Sequence, residues 1–342
     1  MKKTFILFLS LMTLTATQLM AQQSELTIRE NPAVNLKKYA PKGNYSGITR
    51  IGDNTYAVVS DDESHDGFYK FNINLSPTTG EILSVENIGF YHSETVGRDA
   101  ECVAYNPVRK TLYVGGERNN SIVEFSLEGK ATGMRSGNIM PNTRTNLGLE
   151  SLCYDSSTKL LWAMSESTLK TDNDGNYSQS TNGVANMLRL TALDADFNKV
   201  REFAYKADSP ENMKEASTYT MGVSDIAALD DGRLIVMERE CFVPKIKYGA
   251  WTKTKLYLVN PKQGTPLKDN GALTAESPFL QKTLIWSCST TMSFNGLNWA
   301  NYEGICLGPK LEDGGQTIIL ISDSQGRYKG MLQDWIKTIV IQ

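Results

Sequence analysis

A two-stranded hairpin with polar, mostly acidic ends recurs five times along this chain of 342 residues. The clearest copy is Arg98 to Arg118, RDAECVAYNPVRKTLYVGGER. Glu101 opens an apolar run (Cys102, Val103, Ala104, Tyr105), Asn106–Lys110 supplies the turn, and Leu112, Tyr113 and Val114 return to Glu117. Antiparallel pairing across that turn sets Glu101 and Glu117 side by side at the open end. The other copies start at Ser46-Gly47-Ile48, Glu150-Ser151-Leu152, Ser224-Asp225-Ile226 and Glu303-Gly304-Ile305. They return to Ser60-Asp61, Ser165-Glu166, Met237-Glu238 and Ser322-Asp323.

Two further strand patterns follow most copies: Phe68–Leu75 and Ile82–Tyr91, Ser121–Leu127 and Met134–Met140, Met187–Leu193 and Val200–Tyr205, Lys255–Val259 and Thr283–Trp286. The last copy has only Trp335–Ile341, and the N-terminal segment Glu25–Asn31 is available to complete it. Four-stranded antiparallel units repeating every ~50–80 residues predict an all-β fold, a β-propeller of five blades closed by an N-terminal strand. The reason is edge management: a lone sheet cannot bury both faces, whereas a ring packs each sheet between two others. The insertions Ser167–Gly183 and Ala207–Thr220 leave room for a sixth blade, and only Pro210–Ala216 has the pattern of a short helix.

Lys2 and Lys3, the apolar run Thr4–Leu19 and the small end at Met20-Ala21 read as a secretory signal peptide over residues 1–21. That leaves 22–342 as one propeller domain, exported to a bacterial periplasm or beyond, with no membrane anchor. The net charge is −3, which disfavours nucleic acid as a partner. Of the five cysteines, Cys102, Cys153 and Cys306 sit inside apolar strands as small hydrophobes, and Cys241 and Cys288 are placed to pair across one repeat.

In a propeller the hairpin ends meet on one face of the disc. Asp61, Glu101, Glu117, Glu150, Glu166, Asp225, Glu238, Glu303 and Asp323 therefore gather round one mouth of the central channel. Such a ring is costly unless arginines pair with it, cations such as Ca²⁺ share it, or some acids keep a proton. Alternatively each acid accepts backbone N–H groups of a neighbouring blade and orders the ring. Other candidates are weaker. His65 and His92 are the only histidines; His65 lies near Asp61 and is the candidate base or ligand, and His92 ends an outer strand. Asp172-Asn173-Asp174-Gly175-Asn176 opens like a calcium loop, but Gly183 stands where a bidentate Glu is required. Trp286, Trp299, Asn301 and Tyr302 form a rim or pack between blades.

Four stretches carry a family resemblance: RDAECVAYNPVRKTLYVGGER, NLGLESLCYDSSTKLLWAMSES, GVSDIAALDDGRLIVMERE and NYEGICLGPKL with TIILISDSQ. From about Gly43 to Gln325 the chain resembles the phytase-like family, also described as "esterase-like activity of phytase". The resemblance implies an exported bacterial propeller that hydrolyses a phosphoester or ester, and it brings to mind the calcium-loaded mouth of β-propeller phytases. On that footing Glu101, Glu150 and Glu303 are the expected catalytic acids. Asp61, Glu117, Glu166, Glu238 and Asp323 are expected to hold Ca²⁺, and Arg98, Arg118 and Arg239 to contact a small ester or phosphoester. A basic cluster suited to a polyanion is not evident, since only Lys245 and Lys247 add to those arginines. The same mouth on a non-catalytic propeller would bind a glycan, a peptide or a protein partner; a lactonase-like propeller would share the carboxylates.

Overall fold

Strands form where the apolar runs are, and they pair into five sheets. The computed structural model describes residues 26–246, 248–268, 271–292, 298–327 and 330–342; the signal-peptide expectation lies outside them. Blade I is β3 (Tyr45–Arg50), β4 (Thr55–Ser60), β5 (His65–Leu75) and β6 (Ile82–Val96). Blade II is β7 (Ala100–Asn106), β8 (Thr111–Gly116), β9 (Ser121–Ser126) and β10 (Ala131–Arg135). Blade III is β11 (Leu149–Asp155), β12 (Leu160–Ser165), β13 (Met187–Leu193) and β14 (Lys199–Lys206). Blade IV is β15 (Thr218–Ala228), β16 (Leu234–Val243), β17 (Trp251–Val259) and β18 (Lys282–Thr291). Blade V joins both ends of the chain: β19 (Asn301–Lys310), β20 (Gln316–Asp323) and β21 (Trp335–Ile341) pair in turn, and β1 (Ile28–Glu30) is the outer strand, with β2 (Val34–Asn35) also on β21.

The ring is closed. Each innermost strand touches the next, β3 to β7 to β11 to β15 to β19 and back to β3. One apolar cluster fills each junction between blades, from Val59, Phe68 and Phe125 between I and II to Tyr45, Ile319 and Ile336 between V and I. This is the burial that a single sheet lacks. Cys102, Cys153 and Cys306 sit in these clusters as expected.

There are five blades, as the hairpin period predicts, and neither insertion holds a sixth. Pro210–Ala216 forms no helix; instead Asp208 and Glu211 tie the segment to Lys255, 2.8 and 2.9 Å away. Cys241 and Cys288 are free thiols. They lie on β16 and β18 with β17 between them, about 10 Å at the usual strand spacing and beyond disulfide reach. Asp172 belongs to no calcium loop: Arg189 Nη2 lies 2.7 Å from it and the Leu273 N–H donates to it at 2.9 Å. Trp286 and Trp299 pack between strands, donating to Glu30 and Thr252.

Close approach of the inner strands needs small residues. A Cβ on Gly47 would stand 2.8 Å from the Glu101 carbonyl oxygen and 2.9 Å from Cys102 Cα, and one on Gly304 would stand 3.1 Å from Gly47 Cα. These neighbours are backbone and cannot swing away. Gly47→Val should therefore lower stability by about 1–3 kcal/mol, the usual penalty of overpacking, read as an earlier urea midpoint. An unchanged midpoint would contradict the close packing of blades V, I and II.

Candidate functional site

The site is built by one irregularity repeated five times. In every blade the pairing of the two innermost strands slips by one residue at the same end. The extra residue is Ser46 in blade I, Glu101 in II, Glu150 in III, Ser224 in IV and Glu303 in V. A bulged residue leaves the ladder and re-aims its side chain, here into the channel mouth. The three expected catalytic glutamates are thus the same structural position in three blades.

A second ring comes from the second-strand residue one step beyond the pair that flanks each bulge on its mouth side. The pairs Tyr45↔Ser60, Ala100↔Gly116, Leu149↔Ser165, Val223↔Glu238 and Tyr302↔Ser322 are equivalent. The next residues are Asp61, Glu117, Glu166, Arg239 and Asp323. Blade IV therefore contributes Arg239 rather than the expected Glu238. Glu238 is one step out of phase and faces away, accepting from Tyr205 Oη at 2.6 Å and from the Asp208 N–H at 3.0 Å.

Asp61, Glu101, Glu117, Glu150, Glu166, Glu303 and Arg239 line one cavity of about 250 Å³, together with Asp99, Asn146, Thr220 and Gln325. Arg239 is buried and donates from Nη2 to Glu166 and from Nη1 to Glu303 and, at 3.2 Å, to Asn301. No other arginine or lysine lines the cavity among the described residues. Arg98 points elsewhere: it pairs with Asp66 at 2.6 Å and donates to the Val114 and Ser121 carbonyls, tying blade I to blade II. Arg118 is exposed and outside the lining. Asp323 lies just behind the cavity, capped by the N–H and side-chain amide of Gln325. His65 and His92 are not at the mouth.

Several acids crowded around one guanidinium, out of water, resist ionisation. Burial pushes the Asp61 carboxyl up to about 7, helped by Glu303 and Asp99 and opposed by Asn44. Burial also holds Glu166 at about 7, with Arg239 pulling it down and Glu303 and Glu117 pushing it up. Glu101 and Glu150 are driven well above the usual carboxylate range, first by burial and then by their acidic neighbours. Asp225 has a different task. It follows the bulge in blade IV, and its carboxylate accepts the Ile226 and Ile305 N–H groups, both at 2.8 Å. It links blade IV to blade V beneath the acids and orders the ring.

Two polar atoms of the cavity lining are buried without a partner: Asp61 Oδ1 and Arg239 Nε. Ser60 Oγ, beside Asp61, is a third. Asp99, Asn146 and Gln325 hold φ of 61°, 55° and 48°. For side chains with a Cβ this left-handed backbone is strained, and such strain gathers at functional sites. None of these last three residues was visible as a site residue in sequence; Asp99 lay two positions before Glu101, the one available hint.

Residues 40–325 match the phytase-like family described as "esterase-like activity of phytase". The chain belongs to this family. No curated protein matches it. Among solved structures, a streptogramin B lyase aligns over 93% of this chain and 98% of its own at 12% identity and a TM-score of 0.36. A protein of unknown function from Bacteroides thetaiotaomicron aligns over 93% and 76% at 10% identity and a TM-score of 0.39. A chain of a nidogen/laminin complex aligns over 83% and 78% at 10% identity and a TM-score of 0.37. Likenesses this loose assign nothing to this member of the phytase-like family.

Proposed function

We propose that the acidic mouth is the active site of an exported hydrolase of phosphoric or carboxylic esters that works with a divalent cation, most simply Ca²⁺. The observation that carries this is the orphaned Asp61 Oδ1, an acceptor buried in a cavity with six further carboxylates and, among the described residues, a single cationic side chain. A buried acceptor without a donor is costly, and a cation relieves it. The donors are all hard oxygens, which fits Ca²⁺ or Mg²⁺ rather than a thiophilic metal. Among the described residues no three acidic, histidine or cysteine side chains are already gathered as a ligand cluster, so the fit rests on the donor chemistry and the unbalanced charge.

Asp61, Glu117, Glu101 and Glu150 are the residues to hold such an ion, since Glu166 and Glu303 already share Arg239. When bound, the ion would lower the pKa of a water and neutralise developing negative charge. The chain's own groups do the rest. Arg239 is held rigidly by its two glutamates, and its free Nε–H is a donor for a substrate oxygen. Glu166, titrating at about 7, can give or take a proton at neutral pH. One buried guanidinium, already paired twice, suits a substrate with a single ester group better than a polyphosphate.

The test is turnover of p-nitrophenyl phosphate and p-nitrophenyl acetate by tag-free protein. Turnover of one of them is expected with Ca²⁺ and not in excess chelator. Glu150→Gln should reduce it about 10²-fold or more, the scale of a lost acid–base or cation-holding group. Equal turnover in chelator would sink the proposal; cation binding without turnover of any ester would leave a binding propeller.

A further inference from the structure

The only two histidines of the chain stand together on blade I, outside the lining of the acidic cavity that the hydrolase reading uses. His65 begins β5 and His92 lies on β6, and their ring centroids are 4.7 Å apart at an interplanar angle of 38°. We propose that His65 and His92 form a two-imidazole site for a borderline transition-metal ion, Cu²⁺ before Zn²⁺.

Three features carry this. The first is spacing. Metal–nitrogen bonds of about 2.0 Å, plus about 1.1 Å from nitrogen to ring centre, put two imidazoles on one ion about 4.4–5.2 Å apart for angles between square-planar and tetrahedral. The observed centroid separation of 4.7 Å falls inside that window. The second is the protonation pattern. His92 Nδ1 lies 2.9 Å from the Ser93 carbonyl oxygen, which can only accept, so in the neutral ring the hydrogen sits on Nδ1 and the lone pair on Nε2. His65 Nδ1 is 3.0 Å from Ser64 Oγ. No hydrogen bond ties either Nε2 among the described residues. A carbonyl that orients a ligating ring through its other nitrogen is the usual support of a metal histidine.

The third feature is rigidity. Gly67 is paired opposite His92, and a Cβ there would stand 2.7 Å from His92 Cβ. The bare glycine lets the two strands close up beside His65. Phe90 stacks on the other side of His92 at 5.3 Å, and Tyr69 lies 4.8 Å from Phe90. The two donors are thus held on paired strands before any ion arrives, so little side-chain freedom is lost on binding. Imidazole nitrogens suit Cu²⁺, Ni²⁺ and Zn²⁺, and Cu²⁺ binds such donors most strongly.

The experiment titrates Cu²⁺ into tag-free protein with millimolar Ca²⁺ present, so that hard-oxygen sites are occupied or masked. Binding is followed by calorimetry and by electron paramagnetic resonance. The expected result is one tight Cu²⁺ per chain with two nitrogen donors in the spectrum. His65→Gln and His92→Gln should each weaken binding at least tenfold and leave one nitrogen, with unchanged circular dichroism. Glu150→Gln should leave it unaltered. A wild-type spectrum with oxygen donors only, or histidine variants that bind as the wild type does, would overturn the proposal. Neither result bears on ester hydrolysis, so the two readings fail separately.

Discussion

Arg239→Met should destabilise the protein by about 3–5 kcal/mol at pH 8, the scale seen when one partner is removed from a buried ion pair. Arg239 is the sole cation lining the cavity among the described residues, and it is shared by Glu166 in blade III and Glu303 in blade V. Methionine fills a similar volume but leaves both carboxylates buried beside Glu150 and Glu101. The loss should shrink as pH falls, because the freed acids can then take protons. Adding Glu166→Gln to Arg239→Met should recover part of it, since one uncompensated charge is gone. Urea unfolding of the three proteins at pH 5 and pH 8 reads this out. A single variant within about 0.5 kcal/mol of the wild type, as for an exposed surface pair, would show that the guanidinium does not hold the ring together.

The second large effect is on pH. With cations removed, the wild type should lose several kcal/mol of stability between pH 5 and pH 8, since each unit of displaced pKa is worth about 1.4 kcal/mol. Asp61 and Glu166 titrate at about 7 when folded, above the ordinary carboxylate values of 3.8 and 4.5. Glu101 and Glu150 are displaced in the same direction. The folded state therefore keeps protons that the unfolded chain has released. Stability is full below the unfolded pKa, near 4, and drains away as pH rises through about 7. Where native carboxylates favour the ionised form, stability runs the opposite way across the acid range. Millimolar Ca²⁺ should flatten the loss at pH 8, because an ion bound only by the folded state adds stability by mass action. Denaturant midpoints across pH 5–8, with and without Ca²⁺, check both slopes. A stability that rises with pH in chelator would refute the crowded-carboxyl account.

Much of this arrangement was legible in the residues. The hairpin period, the acids at its ends and the spare N-terminal strand led to five blades and a carboxylate mouth. Glu101, Glu150 and Glu303 were picked out as strand openings, and they proved to be the same bulge in three blades. What sequence could not show was the bulge itself. A one-residue slip changes which side chain enters the channel, and in blade IV the apparent match of Glu238 to the other acids hid it. The ladder pairs Val223 with Glu238, so Arg239 takes the inward position. That single step turned an expected acid into the ring's cation. Arg98 misled for a related reason. Proximity in sequence to Glu101 says nothing about direction, and its side chain runs back along blade I to Asp66. The strands of blade IV also extend further than their apolar cores suggested, with β15 beginning at Thr218 rather than Ser224, because Thr, Tyr and Met continue the ladder on a partly solvated wall.

A mouth that keeps protons on crowded, buried carboxyls should give them up when a cation binds there. Calorimetric titration of Ca²⁺ into chelator-stripped protein at pH 7 tests it most directly, repeated in buffers of different ionisation enthalpy and with Asp61→Asn. The expected result is saturable binding that releases protons from the mouth's carboxyls and is weakened at least tenfold by the substitution. Absence of binding, or binding with no proton released and no response to Asp61→Asn, would contradict it.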